Sequence, residues 1–138
     1  MANDTKKEDA QRKYSKYQAV KQQMSVLLQE RLVLEEKSSE LMTCIEAMKR
    51  LKTVDAGKSV WSPVGAGAFA KAALNDADNF IIGIGAGVFV EEAKDRAIEI
   101  LENRRREILS YMEESQTEAE RLGKEAEALE IELQGMMQ

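Results

Sequence analysis

The chain has 138 residues, of which 20 are Lys or Arg and 25 are Asp or Glu, for a formal net charge of −5; it has no histidine and a single cysteine. This balance argues against nucleic acid as a partner, because phosphates call for a basic stripe. The missing histidine, with Cys44 the only thiol, removes most zinc sites, histidine-based nucleophilic catalysis and any internal disulfide, so no enzyme activity, metal or cofactor is expected. The polar start from Met1 to Lys13 carries no signal-peptide pattern, and no apolar run approaches the roughly 18 residues of a membrane span, so no membrane partner and a cytoplasmic location are expected.

In chain order, residues 1–52 read as a first helical arm. Alternating steps of three and four meet Tyr17, Val20, Met24, Leu27, Arg31, Leu34, Ser38, Leu41, Ile45, Met48 and Lys52, and eight of these eleven are apolar. Apolar residues recurring about every 3.5 positions keep one stripe of a helix facing a partner helix, which is the coiled-coil pattern.

Residues 53–92 change character. Ser59–Ala66 and Gly67–Leu74 are β-branched, aromatic or small, Asn75–Asn79 is a polar turn cluster, and Phe80–Ile84 and Val88–Val90 follow. These runs predict four short strands in two hairpins, turning near Gly65–Gly67 and Gly85–Gly87, where glycine permits positive φ. Pro63 belongs at an edge or a bulge, since it has no N–H to give to a ladder. Gly83, Gly85 and Gly87 are spaced G-x-G-x-G and lie between strand-like runs, unlike the G-x-G-x-x-G turn into a helix that binds dinucleotides.

Residues 93–138 form the second arm. The same walk meets Ile98, Leu101, Arg105, Ile108, Met112, Ser115, Ala119, Leu122, Ala126, Leu129, Leu133 and Met136, ten of twelve apolar. Arg104–Arg106 reads as a solvated segment between Glu102 and Glu107. Residues 1–52 hold eleven basic and eight acidic side chains, against seven and twelve in residues 93–138. Opposite net charge favours pairing of the two arms within one chain.

The expected fold class is therefore α+β: a long antiparallel two-helix coiled coil with a central insert of two β-hairpins that assembles into an oligomeric β-barrel. Two-stranded hairpins are marginal alone and leave open edges, which closure with other copies removes. The expected apolar content of that oligomerisation element is Val60, Trp61, Val64, Phe69, Phe80, Ile82, Ile84, Val88 and Phe89.

The runs VGAGAFAKAAL and NDADNFIIGIGAGVFVEEAKDRAIEILENR resemble α-class prefoldin subunits of the archaeal type. The matching residues are Gly65, Ala66, Gly67, Phe69 and Lys71, then Gly83, Gly85, Ala86, Gly87, Val88, Val90 and Glu91. The motif covers about residues 63–101, and the arm, insert and arm order agrees over the whole chain. The resemblance implies a hexamer of two α-class and four β-class subunits. Such an assembly holds unfolded client proteins without ATP and passes them to a group II chaperonin. On this reading the free ends of the arms bind clients through Tyr14, Tyr17, Val20, Leu129, Ile131, Leu133, Met136 and Met137, because coiled-coil ends fray and methionine adapts to varied shapes. The alternative is a coiled-coil scaffold or a filament-forming oligomer that holds no client.

Overall fold

The computed structural model describes residues 2–137. Among them the chain forms helix α1 (Ala2–Arg50), a 3-10 turn (Thr53–Asp55), strands β1 (Ser59–Gly65), β2 (Ala68–Ala73), β3 (Asn79–Gly85) and β4 (Val88–Ala93), and helix α2 (Lys94–Met136). Asp4 in the first turn of α1 and Lys49 and Arg50 in its last turn oppose the helix dipole. Helix α1 ends two residues before the seam position Lys52, which therefore lies outside the helix and whose backbone N–H donates to Asp55 Oδ2 at 2.9 Å. Lys94 Nζ donates to the Leu51 carbonyl and so satisfies one of the acceptors a helix end leaves over.

Burial along the helices follows the alternating three-and-four step. From Tyr17 to Met48 every seam residue of α1 is buried or half-buried, and in α2 the same holds from Ile98 to Leu133. The seam residues that break the apolar pattern, Arg31, Ser38, Arg105 and Ser115, keep to the stripe as well. Their placement shows that helix geometry, more than side-chain polarity, decides which face is covered.

The structure divides into two compact units, one made of the chain up to Lys37 and from Ile108 onward, the other of Ser38–Glu107. In the first, Val20, Leu122, Ala126 and Leu129 are buried together, with Tyr17, Met24 and Leu27 packed against them. The helices run antiparallel there: Lys13 meets Glu132 at 3.0 Å and Lys16 meets Glu125 at 3.4 Å. Gly123 faces Met24, whose methyl carbon would lie 3.7 Å from a Cβ at that glycine.

In the second unit Ile45, Met48, Ala97, Ile98 and Leu101 enclose Ile82 of β3, and Phe80 and Val90 complete the contact. Lys49 meets Glu102 at 3.4 Å beside this cluster. β1 pairs with β2 and β3 with β4, both antiparallel, as two separate two-stranded sheets. Each hairpin turns through two residues, Ala66-Gly67 or Ala86-Gly87, all four with positive φ, the type I′ geometry that matches strand twist. The register slips between Pro63 and Gly65 and, twenty residues later, between Gly83 and Gly85, so both hairpins carry the same bulge next to the same Gly-Ala-Gly turn. Pro63 flanks the first bulge, where its missing donor costs the ladder least.

Leu122 is the most deeply buried large side chain of the described residues, whereas Leu28 is 61% exposed. Leu122→Ala should therefore lower unfolding free energy by about 2–5 kcal/mol, and Leu28→Ala by less than about 0.5 kcal/mol. Denaturant unfolding followed by circular dichroism at fixed protein concentration measures both.

Candidate functional site

The hairpins differ in what they cover. In β3–β4, alternation turns Phe80, Ile82, Val90 and Glu92 toward the helices and Ile81, Phe89 and Glu91 away. Ile82 is buried and Phe80 half-buried within the chain's own core, so these two of the expected assembly residues hold the hairpin to α1 and α2. Ile81, which was not among them, is 69% exposed. Its outward position follows from the strand period of two once Ile82 is fixed inward. Phe89 stands opposite Gly83, and its ring lies 3.2 Å from where a Cβ of Gly83 would sit, so the ring covers bare backbone.

Strands β1 and β2 are exposed along their whole length. Trp61 pairs with Lys71 and Pro63 with Phe69, which puts Trp61, Pro63, Phe69 and Lys71 on one face; Val60, Ser62, Ala70 and Ala72 take the other. Trp61 and Phe69 are diagonal neighbours, within reach of each other across the ladder. Ala70 and Ala72 make the second face low and smooth, which suits close approach of another sheet. With Val64, Ile84 and Val88, all exposed, the hairpins present a large uncovered apolar surface. A patch of this kind on a folded chain marks an interaction site.

Side chains outside the expected set fix the hairpins. Arg104 donates to the Gly83 carbonyl from α2, and the Lys94 N–H donates to the Asp78 carbonyl at 2.8 Å. The arginine run is thus not uniformly solvated: Arg104 and Arg105 are half-buried, and Arg106 alone is exposed, bound to Asn103 at 3.0 Å. The helical turn places consecutive arginines on different faces, so one of them reaches the sheet. Between the hairpins, Asp76 accepts from the Asp78 N–H at 2.7 Å and from Asn79 Nδ2 at 2.8 Å. Ala77, inside this polar cluster, is buried. The Asn79 amide, followed by the Asp78 N–H, holds the Asp76 carboxyl below the ordinary aspartate range.

At the helix ends of the first unit the expected contact residues separate into two groups. Val20 and Leu129 are buried in the apolar cluster, Tyr17 packs on it, and Leu133 is half-buried. Tyr14, Ile131, Met136 and Met137 are exposed. Lys13 lies at this end between Asp9 and Glu132; its hydrogen bond to Glu132 raises its pKa.

This combination of paired helices and two matching hairpins has known counterparts. Residues 7–138 match the profile described as "Prefoldin subunit". A prefoldin subunit alpha from Methanopyrus kandleri is 37% identical over 84 residues, 61% of this chain and 54% of that protein. One from Pyrococcus horikoshii is 35% identical over 92 residues, 66% of this chain and 62% of that protein. The alignments therefore span little more than half of these relatives. A chain of the filamentous PFD from Methanocaldococcus jannaschii, solved by cryo-EM, shares the fold with a TM-score of 0.74 at 23% identity, over 83% of this chain and 95% of that one. The chain belongs to the prefoldin family, as a subunit of its alpha class.

The depressed pKa of Asp76 has a consequence in acid. A carboxyl lowered in the folded state contributes stability above its unfolded value, about 3.9, and that contribution is lost as pH falls through the folded value. The Asp78 amide proton should therefore shift in NMR spectra with a midpoint below about 3.9. In Asp76→Asn that transition should disappear.

Proposed function

We propose that this chain is a subunit of an ATP-independent holdase: two copies assemble with four β-class subunits through the hairpins, bind unfolded proteins at the helix ends, and pass them to a group II chaperonin. The cytoplasm is the proposed location. The observation that carries the reading is the β1–β2 hairpin, which is fully formed yet buries no side chain in its own chain. A two-stranded hairpin is marginal in water, and its open edges and apolar faces are satisfied when sheets of several subunits close together. Val60, Trp61, Val64, Phe69, Ile84, Val88 and Phe89 are the proposed assembly contacts.

Client contact is proposed to begin at Tyr14, Ile131, Met136 and Met137, which are already exposed. Tyr17, Val20, Leu129 and Leu133 join as the helix end opens, since terminal turns unfold locally at small cost. Weak contacts on several subunits then add through multivalency.

A second reading is self-assembly into filaments, favoured by the likeness to the filamentous PFD chain. Sedimentation of the chain alone separates the two: a defined small oligomer fits the holdase subunit, and continuous growth to large species fits the filament.

Two variants test the first reading. Trp61→Ser with Phe69→Ser, both exposed, should abolish assembly with a β-class subunit in native mass spectrometry while helicity is retained. Replacing Tyr14, Ile131, Met136 and Met137 by Ser should leave assembly intact and remove most of the suppression of light scattering when a denatured protein is diluted without ATP. Undiminished suppression in a correctly assembled second variant rules out the helix ends as the client site.

A further inference from the structure

The stretch of α1 from Met24 to Leu34 has seven apolar side chains among eleven: Met24, Val26, Leu27, Leu28, Leu32, Val33 and Leu34. A two-helix seam covers one stripe only, here Met24, Leu27 and Leu34. The rest remain in solvent: Val26 is 42% exposed, Leu28 61%, Leu32 58% and Val33 52%. A helix apolar on nearly every face is built to be covered on more than one of them. Tyr111, itself exposed, leans from α2 toward α1 on the Val26 and Val33 side. Between them lies a groove of about 340 Å³ lined by Val26, Gln29, Glu30, Val33, Leu34 and Tyr111.

The charge around this groove is predominantly acidic. Residues 21–37 and 107–121 hold eight acidic side chains and four basic, a formal −4, against −5 for the entire chain. Two of the four cations are engaged, Arg31 with Glu35 at 3.2 Å and Arg121 with Glu118 at 2.5 Å, and Lys21 and Lys37 stand at the two ends of the α1 stretch. Glu30 lines the groove, and Glu114, three residues beyond Tyr111, lies on the same face of α2. Both are exposed. A second copy docking band to band would set −4 against −4 and bring the Glu30 and Glu114 carboxylates of the two copies together, which charge opposes. An occupant must instead bring apolar side chains together with positive charge.

We propose that this acidic apolar band is a second client surface, distinct from the helix ends, and that it takes stretches of non-native polypeptide in which leucine-like side chains alternate with Lys or Arg. This inference rests on the holdase reading. The apolar side chains of such a segment enter the Val26–Tyr111 groove while its cations meet Glu30 and Glu114. Selectivity then comes from charge, and adaptability from the shallow, mainly apolar form of the groove.

The test uses the full chain assembled with a β-class subunit and two short labelled peptides, one of leucine, serine and lysine and one with glutamate in place of lysine. Fluorescence anisotropy should show the lysine peptide binding roughly tenfold more tightly. That preference should shrink as salt is raised to about 0.5 M, where the screening length falls to a few ångströms. Val26→Ser with Val33→Ser and Tyr111→Ser should weaken binding of the lysine peptide roughly fivefold or more, and Glu30→Gln with Glu114→Gln should erase the preference without touching an apolar residue. The helix-end Ser variant should retain it. Equal binding of the two peptides, or parental binding by both groove variants, overturns the proposal, as does a change in assembly mass caused by the groove variants, which would make the band a contact between subunits. Suppression of aggregation by the parent, read in parallel, keeps failure of this inference apart from failure of the holdase reading.

Discussion

A seam that returns every 3.5 residues sets the terms for everything else in this protein. It lets each helix cover about two positions in seven and leaves the other five in water. The charged majority of the helical surface follows from that constraint, as does the dependence of each unit on a few deeply placed side chains. Leu122 and Ala126 in one unit, and Ala97 and Leu101 in the other, are each among the most buried residues of their helix. The ion pairs beside them, from Lys13 to Glu132 and from Lys49 to Glu102, are solvent-exposed and contribute orientation more than stability.

The hairpins solve a different problem. Within each hairpin the two strands pair only with each other, with a two-residue turn and a bulge repeated at the same place in each. One face of β3–β4 is seated on the helices by Phe80, Ile82 and Val90, and Arg104 and Lys94 tie it and the connecting backbone to α2. Among the described residues, every one in β1 and β2 is exposed instead. The chain thus forms one anchored hairpin and one exposed one around the same Gly-Ala-Gly turn, and the exposed one supplies much of the apolar surface proposed for assembly.

Much of this was legible beforehand. The heptad walk placed the covered stripe from Tyr17 to Met48 and from Ile98 to Leu133, and the Gly-Ala-Gly pairs placed both turns, because these features depend on local periodicity and on backbone angles that few residues tolerate. The faces of β3–β4 were less legible. Alternation says that Ile81 and Ile82 point opposite ways, but which of them meets the helices depends on contacts with Ile45 and Met48 almost forty residues away. Contacts between separate elements likewise hid the roles of Arg104 and Lys94. The apolar excess of Met24–Leu34 was present in the residues all along, yet counting only seam positions passes over Val26, Leu28, Leu32 and Val33.

By itself, then, the sequence determined the two helical arms, their opposed charge, the two glycine-turned hairpins and the absence of histidine chemistry, since each is a property of short range or of composition. The tertiary structure alone decided which expected contact residues are free. It buried Val20, Leu129 and Ile82 and left Tyr14, Ile131 and Trp61 exposed. Exposure is a property of what packs against a side chain, and its packing partners lie far away along the chain.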